Sequence, residues 1–146
     1  MRVKLIDITT VVHATEDKSR VVKALQNIIP EDLRSNIKVR ESTLKGYYGN
    51  PITRLNVTFD REDADKVLNW IFNLLSDVDK LTLIDSFRLR FESGKLYLRF
   101  DKQKAYLGKL QLSEGDDVLR VIVYFSGRDA SKASKVLEYL KTRGLI

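Results

Sequence analysis

Apolar and polar residues alternate along several stretches of the chain, with the period of a half-buried β-strand. Residues 2–14 are rich in β-branched side chains but change phase, because Val3 and Leu5 alternate one way while Ile6 and Ile8 alternate the other. This change predicts a bulge or bend within the first strand. Further strands are predicted at about residues 37–44, 52–59 and 118–125.

Three segments carry apolar residues at helical spacing and predict amphipathic helices. The first begins at the candidate N-cap Thr15 and ends near Pro30, and its two leading acids suit the positive end of a helix. The second begins near Asp60, and the third covers about residues 129–142. A short helix or a turn fits two further segments equally well, at residues 76–85 and 101–108.

The segment 87–100 has the clearest local pattern, because two alternating runs are joined by Ser93 and Gly94. A two-residue turn at this point predicts a β-hairpin. Its register places Phe87, Leu89 and Phe91 on an apolar face opposite Phe100, Leu98 and Leu96. On the other face, the same register places Arg88 opposite Arg99 and Arg90 opposite Tyr97.

The predicted strands outnumber the helices and are connected mainly as hairpins rather than as β-α-β units. This order predicts an α+β fold, a two-layer sandwich in which a mainly antiparallel sheet carries helices on one face. Because the chain has no internal repeat, linker or low-complexity segment, residues 1–146 are predicted to form a single domain.

The charge balance indicates which kind of partner the protein binds. The formal net charge is +6 at pH 7 and 32% of the residues are charged, which favours a polyanionic partner. No apolar run approaches the roughly 18 residues of a membrane span. The start of the chain is predicted to be a strand rather than a signal peptide, so we expect no membrane partner.

The residues that commonly carry catalysis are scarce. The chain has one histidine and no cysteine, and the usual motifs for phosphate loops, nucleophile elbows and zinc proteases are missing. His13 fits a strand end, and its neighbours Glu16 and Asp17 fit a helix dipole, better than they fit a catalytic group. Asp116 and Asp117 suit an acidic turn, with a magnesium-binding pair as the alternative. We expect no enzyme activity, no cofactor and no metal.

Basic and aromatic residues of the predicted hairpin are candidates for contact with RNA. Directly opposed arginines repel each other, so the face with Arg88 and Arg99 requires a negative neighbour. That neighbour is either an RNA phosphate or an acidic side chain of the protein; the alternative is that the two guanidinium groups turn apart into water, and these interpretations stay open. The candidates on this face are Arg88, Arg90, Tyr97 and Arg99, and beyond it Lys102, Gln103, Lys104 and Tyr106.

The segment KGYYGNPI, residues 45–52, places two tyrosines at the tip between two predicted strands. Consecutive residues of an extended segment point to opposite sides, so at most one of Tyr47 and Tyr48 serves the core. The other ring is expected to stack on an unpaired base, or else to pack back on the sheet above glycines that supply positive φ. Lys45 and Asn50 are candidate donors beside the rings.

Several stretches occur together in one order: VVHATED at 11–17, GYYGNPI at 46–52, RFDKQKAYLG at 99–108 and DDVLRV at 116–121. In combination they resemble the archaeal RNA-binding family that is predicted to be exosome-associated and is related to the ribosomal L-five-type protein. The resemblance implies a ribosomal L-five-like fold, a cytoplasmic location and a non-catalytic protein that binds RNA and exosome subunits. The positions that match the family pattern are His13, Tyr48, Gly49, Asn50, Lys102, Gln103 and Tyr106.

Two functions from different classes fit these observations. The first is a non-catalytic RNA-binding protein, an accessory of RNA processing or degradation, which contacts phosphates through a basic sheet face and bases through exposed tyrosines. The second is a protein–protein interaction subunit that docks its basic face on an acidic partner without binding RNA. The preferred RNA and the oligomeric state stay open.

Overall fold

The computed structural model describes residues 1–46 and 49–146. Its strands are β1 (Arg2–Val12), β2 (Arg40–Lys45), β3 (Pro51–Asp60), β4 (Phe91–Glu92), β5 (Lys95–Asp101) and β6 (Val118–Ser126). Its helices are α1 (Lys18–Asn27), α2 (Glu31–Arg34), α3 (Arg61–Leu74), α4 (Asp77–Asp85), α5 (Phe87–Arg90), α6 (Lys102–Tyr106) and α7 (Ala133–Thr142). The strands form one six-stranded sheet in the order β2-β3-β1-β6-β5-β4, and all neighbours are antiparallel.

One face of this sheet packs against the helices and forms the core. Ile6 and Ile8 of β1 lie opposite Val123 and Val121 of β6, and all four side chains are fully buried. From the helical layer, α3 contributes a stripe of buried side chains to the same cluster: Ala64, Val67, Leu68, Ile71 and Phe72. The predicted α+β sandwich, with a mainly antiparallel sheet and helices on one face, is confirmed.

Local predictions around the first strand and the helix starts agree with the structure to within a few residues. The pairing of β1 with β6 shifts register between Val3 and Leu5, which confirms the bulge. Asp17, rather than Thr15, caps α1, because its carboxylate accepts a hydrogen bond from the N–H of Ser19 at 2.9 Å. The open segment 76–85 is helix α4, capped by the Ser76 hydroxyl.

The predicted hairpin 87–100 is correct only next to its turn. Ser93 and Gly94 both have positive φ, and Phe91 pairs with Leu96 as predicted. Before Phe91 the chain forms α5 instead of a strand, so Arg88 does not lie opposite Arg99, and Arg90 does not lie opposite Tyr97. One physical reason is the stacking of Phe87 on Phe91 at 5.7 Å between ring centroids, because these residues are spaced i,i+4, as neighbours on a helix are.

The residues opposite Arg99 and Tyr97 come from β6, on the other side of β5, and not from the segment 87–90. Arg99 lies opposite Arg120 of β6, and Tyr97 lies opposite Ile122. Two opposed arginines therefore exist, but between β5 and β6 rather than within the hairpin. Within the described residues, no helix is long and apolar enough to cross a bilayer.

Candidate nucleic-acid interface

The sheet face that points away from the helices is mostly basic, polar and aromatic. On each strand its residues alternate with the buried ones, and most remain partly or fully exposed. We call this surface the open sheet face; it consists of Asp7, Thr9, Arg40, Arg54, Asn56, Thr58, Lys95, Tyr97, Arg99, Arg120, Ile122 and Tyr124. Five of these residues are basic and one is acidic; Glu92, opposite Lys95, and Asp101, two positions after Arg99 on β5, add two acids at the edge of the face, so its excess of positive charge lies in the middle.

A continuous row of side chains crosses five strands at the middle of the open sheet face. The pairing registers align Arg40 with Asn56, Asn56 with Thr9, Thr9 with Arg120, and Arg120 with Arg99. Adjacent strands lie about 4.8 Å apart, so the row extends across most of the sheet. The row ends in Arg40 on one side and in Arg99 on the other, and a third basic residue, Arg120, lies between them.

The Arg99–Arg120 pair is only partly neutralised. Arg99 donates a hydrogen bond to the Gly115 carbonyl and lies 3.7 Å from an Asp116 carboxylate oxygen that is open to solvent. Its buried Nε has no hydrogen-bond partner among the described residues. Arg120 is exposed and forms no salt bridge within the described part of the chain. An acidic neighbour is thus present for Arg99, but exposed ion pairs contribute little, and the positive potential persists.

Aromatic side chains flank this basic row on β5 and β6. Tyr97 lies opposite Ile122 and is 39% exposed. Tyr124 lies one pair further along, opposite Lys95, whose ammonium is 5.3 Å from the centroid of the Tyr124 ring. Asp7, an acid in the middle of the face, accepts a hydrogen bond from the Asn56 amide at 2.6 Å. The face therefore combines phosphate-type donors with ring surfaces.

Lys102 lies at the edge of the open sheet face, with its side chain buried. The residue is 2% exposed, and its ammonium donates to the Val11 carbonyl at 2.8 Å and to carboxylate oxygens of Glu16 at 2.8 Å and Asp117 at 2.7 Å. An ammonium has three donors, and these contacts use all of them. These contacts neutralise the charge of Lys102 inside the protein and argue against its predicted contact with RNA, which stays a prediction.

The carboxylates around Lys102 also form, with His13, the one group of potential metal ligands among the described residues. The ligand atoms of His13, Glu16 and Asp117 lie within 4.8 Å of one another. Because Lys102 bonds to both carboxylates, its ammonium occupies the place that a bound cation would take. The arrangement therefore serves as an internal ion-pair cluster that ties together the ends of β1, β5 and β6.

Gln103 and Tyr106 lie on the other side of Lys102 from the open sheet face. Gln103 donates to Asp117 Oδ2 at 3.0 Å. Tyr106 packs under α1, with the Arg20 guanidinium 4.7 Å and the Lys23 ammonium 5.5 Å from its ring centroid. The Arg20 guanidinium beside the Tyr106 hydroxyl lowers the pKa of that hydroxyl from its usual value. Lys104 is exposed on α6.

The remaining candidates are divided between the sheet edge and the β2–β3 tip. Arg90 is largely buried, with Nε donating to the Ser86 hydroxyl at 2.8 Å and one terminal nitrogen 3.3 Å from Glu114. Arg88 is exposed on α5, away from the open sheet face. At the tip, Lys45 and Asn50 are exposed. Tyr47 and Tyr48 lie outside the described residues.

The structure brings the four family-like stretches to one end of the sheet. His13 follows β1, and Val118 at the start of β6 accepts a hydrogen bond from Thr10 near the end of β1. A cleft of about 290 Å³ at this end is lined by residues from three of these stretches, including His13, Lys102 and Asp117, and by Leu44 and Arg54, which lie on either side of the fourth stretch in sequence. Stretches that are distant in sequence therefore form one continuous surface.

Sequence reasoning missed five of the seven basic and aromatic residues on the open sheet face. The missed residues are Arg40, Arg54, Lys95, Arg120 and Tyr124. Two of them carried a readable signal, because Arg120 and Tyr124 alternate with the apolar residues Leu119, Val121 and Val123 within the predicted strand 118–125. What the sequence lacked was the order of the strands, and hence which outward residues become neighbours.

Comparison with known proteins identifies a matching family model and two similar archaeal proteins. A family model described as RNA binding matches residues 5–125. An uncharacterised protein of Methanocaldococcus jannaschii is 39% identical over 123 residues, which cover 82% of this chain and 83% of that protein. The RNA-binding protein PAB1135 of Pyrococcus abyssi is 38% identical over 119 residues, which cover 80% of this chain and 77% of that protein.

A solved structure supports the fold independently. The crystal structure of the DUF54 protein AF2318 from Archaeoglobus fulgidus superimposes with a TM-score of 0.81 at 29% identity, covering 99% of this chain and all of that one. The fold therefore extends over the full length of a solved relative.

Proposed function

The chain belongs to the RNA-binding family whose model matches residues 5–125, and on this premise we propose that the open sheet face is its RNA-binding surface. The observation that carries the proposal is the incompletely neutralised Arg99–Arg120 pair, at the β5 end of the row on a sheet face that none of the described helices covers. Like charges held opposite each other are relieved by an anion between them. A phosphate of RNA supplies that anion.

The row of basic residues and the two tyrosines have separate roles in this proposal. Arg40, Arg99 and Arg120 contact phosphates, which positions the strand without reading its sequence. Tyr97, with its ring partly exposed, stacks on a base, and stacking requires a base that is not already paired. We therefore propose single-stranded or looped RNA as the preferred ligand, with weak dependence on sequence.

We also propose that the protein has no catalytic step of its own. The support is the Lys102 ammonium, which fills the carboxylate cluster, and the absence of a thiol from the chain. A place in RNA processing or degradation, contact with exosome subunits, kinship with the ribosomal L-five-like fold and a cytoplasmic location are further proposals. These four rest on the family resemblance of the sequence alone.

The experiment compares the Arg99→Gln/Arg120→Gln variant with the wild-type protein in a salt titration of single-stranded RNA binding. Each phosphate contact to a single strand contributes about −0.7 to the slope of log affinity against log salt. Two lost contacts should make the slope shallower by about 1.4, with an unchanged or slightly raised melting temperature because the arginine repulsion is removed.

A matched control removes the same charge elsewhere. Lys135→Gln/Lys141→Gln changes two exposed lysines on α7, and its slope should equal that of the wild type. Equal slopes for all three proteins would overturn the proposed interface. If RNA does not bind at all while an acidic protein does, the basic face serves protein docking instead.

A further inference from the structure

A second groove lies behind Lys102, between α1 and α6. It has a volume of about 330 Å³, and its lining includes Thr15, Arg20, Gln103 and Tyr106. Lys102 lines both this groove and the cleft at the end of the open sheet face. The two surfaces are therefore separated by one buried side chain and by the segment that joins β1 to α1.

Two basic side chains of α1 meet at one aromatic ring beside this groove, whereas like charges on an ordinary solvent-exposed helix face point apart. Arg20 and Lys23 are spaced i,i+3 on α1 and converge on the same Tyr106 ring, at 4.7 and 5.5 Å from its centroid. Like charges three residues apart on a helix repel each other. The ring face attracts both cations, so the aromatic side chain holds two positive charges together at one place.

The groove is also lined by two acidic residues, Glu16 and Asp17, which already accept hydrogen bonds within the protein. Asp17 accepts hydrogen bonds from the backbone N–H and the hydroxyl of Ser19, at 2.9 and 2.7 Å. Glu16 accepts from the Lys102 ammonium and from the His13 N–H. Within the described residues, neither Arg20 nor Lys23 forms a salt bridge. Apart from the hydrogen bond of Arg20 to the Tyr106 hydroxyl, the donors of both cations therefore remain available to an anion from outside.

We propose that the α1–α6 groove is a second phosphate-binding site, which takes a later part of the same RNA strand that crosses the open sheet face. Arg20 binds a phosphate through N–H groups at the edge of its guanidinium while its plane rests on Tyr106, and Lys23 adds a second charge-assisted contact. The strand passes from one surface to the other around the edge formed by residues 13–17. The inference rests on the proposed function of the open sheet face.

The test uses RNA length to separate the two surfaces. Single strands of about 4 and about 16 nucleotides span the range of site sizes of common single-strand-binding domains. The Arg20→Gln/Lys23→Gln variant should bind the short strand like the wild type. With the long strand, its salt slope should be shallower by about 1.4, which corresponds to two lost contacts. Both positions are exposed on α1, and glutamine keeps a high helix propensity, so the fold is expected to persist.

Lys135→Gln/Lys141→Gln on α7 is the control for loss of charge, and Arg99→Gln/Arg120→Gln is the control for the open sheet face. The α7 variant should match the wild type at both lengths, and the sheet variant should weaken both lengths. The second site is overturned if the Arg20→Gln/Lys23→Gln variant binds both strands like the wild type and the α7 control, or if it weakens binding of the short and the long strand equally. The proposed function fails separately, if the sheet variant leaves binding of the short strand unchanged.

Discussion

Replacing Lys102 by methionine tests whether the ammonium is a structural element rather than a contact to RNA. Methionine keeps an unbranched apolar stem of similar length, so the packing under the sheet edge is largely retained. The substitution removes the donor for the Val11 carbonyl and for the carboxylates of Glu16 and Asp117. Two negative groups are then left close together without the charge that separated them.

The size of the effect follows from the exposure of the partners. Removing one member of a fully buried ion pair costs about 3–5 kcal/mol. The side chains of Glu16 and Asp117 are 21% and 47% exposed, so water can partly solvate them in the variant. We therefore expect a loss of about 2–4 kcal/mol in the free energy of unfolding. For a chain of this size, that loss lowers the melting temperature by about 6–12 °C.

Urea and thermal unfolding measure this loss directly, with the fluorescence of Trp70, the one tryptophan of the chain, as the probe. Lys104→Met is the matched control, because Lys104 lies two residues away on the same helix and is exposed. It should change the free energy of unfolding by less than about 0.5 kcal/mol. If Lys102→Met is equally mild and instead makes the salt slope of RNA binding shallower, Lys102 contacts phosphate and the reasoning is wrong.

Three further predictions concern the same site and the sheet edge. Tyr97→Ala should weaken binding of single-stranded RNA by about 1–3 kcal/mol, with little change in salt slope and little effect on duplex RNA, whereas Tyr97→Phe should retain the affinity; equal losses with single-stranded and duplex RNA would contradict stacking. Burial raises the pKa of Asp117, but hydrogen bonds from Gln103 and Lys102 outweigh burial and hold the pKa below the ordinary value of 3.8. Asp117 therefore stabilises the fold above pH 3.8 and loses that effect as the pH falls through its lower folded-state pKa. In an acid denaturation series, the loss of stability caused by Asp117→Asn should therefore shrink below pH 3.8. A loss of stability that does not depend on pH would contradict the pairing of Asp117 with Lys102. Gly94→Ala should cost about 1–2 kcal/mol in urea unfolding because Gly94 has a φ of +83°, whereas Gly115→Ala, without positive φ, should be nearly neutral.

The sequence predicted the architecture well where one period was dominant. The alternation in residues 52–59 and 118–125 identified the buried side of β3 and β6, and the phase change in the first strand located its bulge. It failed at residues 87–90, because Phe87, Leu89 and Phe91 satisfy a strand period while Phe87 and Phe91 also satisfy the i,i+4 spacing of a helix. Tertiary packing, rather than local pattern, decided between these two structures.

The candidate interface was predictable in character but not in detail. Positive charge and aromatic residues on a sheet face were expected, and Tyr97 and Arg99 do lie on the open sheet face. The partner of Arg99 was misassigned, because the pairing of β5 with β6 joins residues that are 21 positions apart at Arg99 and Arg120. The ion pairs of Lys102 were missed for a related reason, since its two acidic partners, Glu16 and Asp117, are distant in sequence.

Ultraviolet crosslinking of the wild-type protein to single-stranded RNA, followed by mass spectrometry of the crosslinked peptides, tests the central claim most directly. The account predicts crosslinks to peptides from β5 and β6 that contain Tyr97 and Tyr124, and competition by excess unlabelled single strand should remove them. Crosslinks confined to α4 and α7, with none on β5 or β6, would contradict RNA binding by the open sheet face.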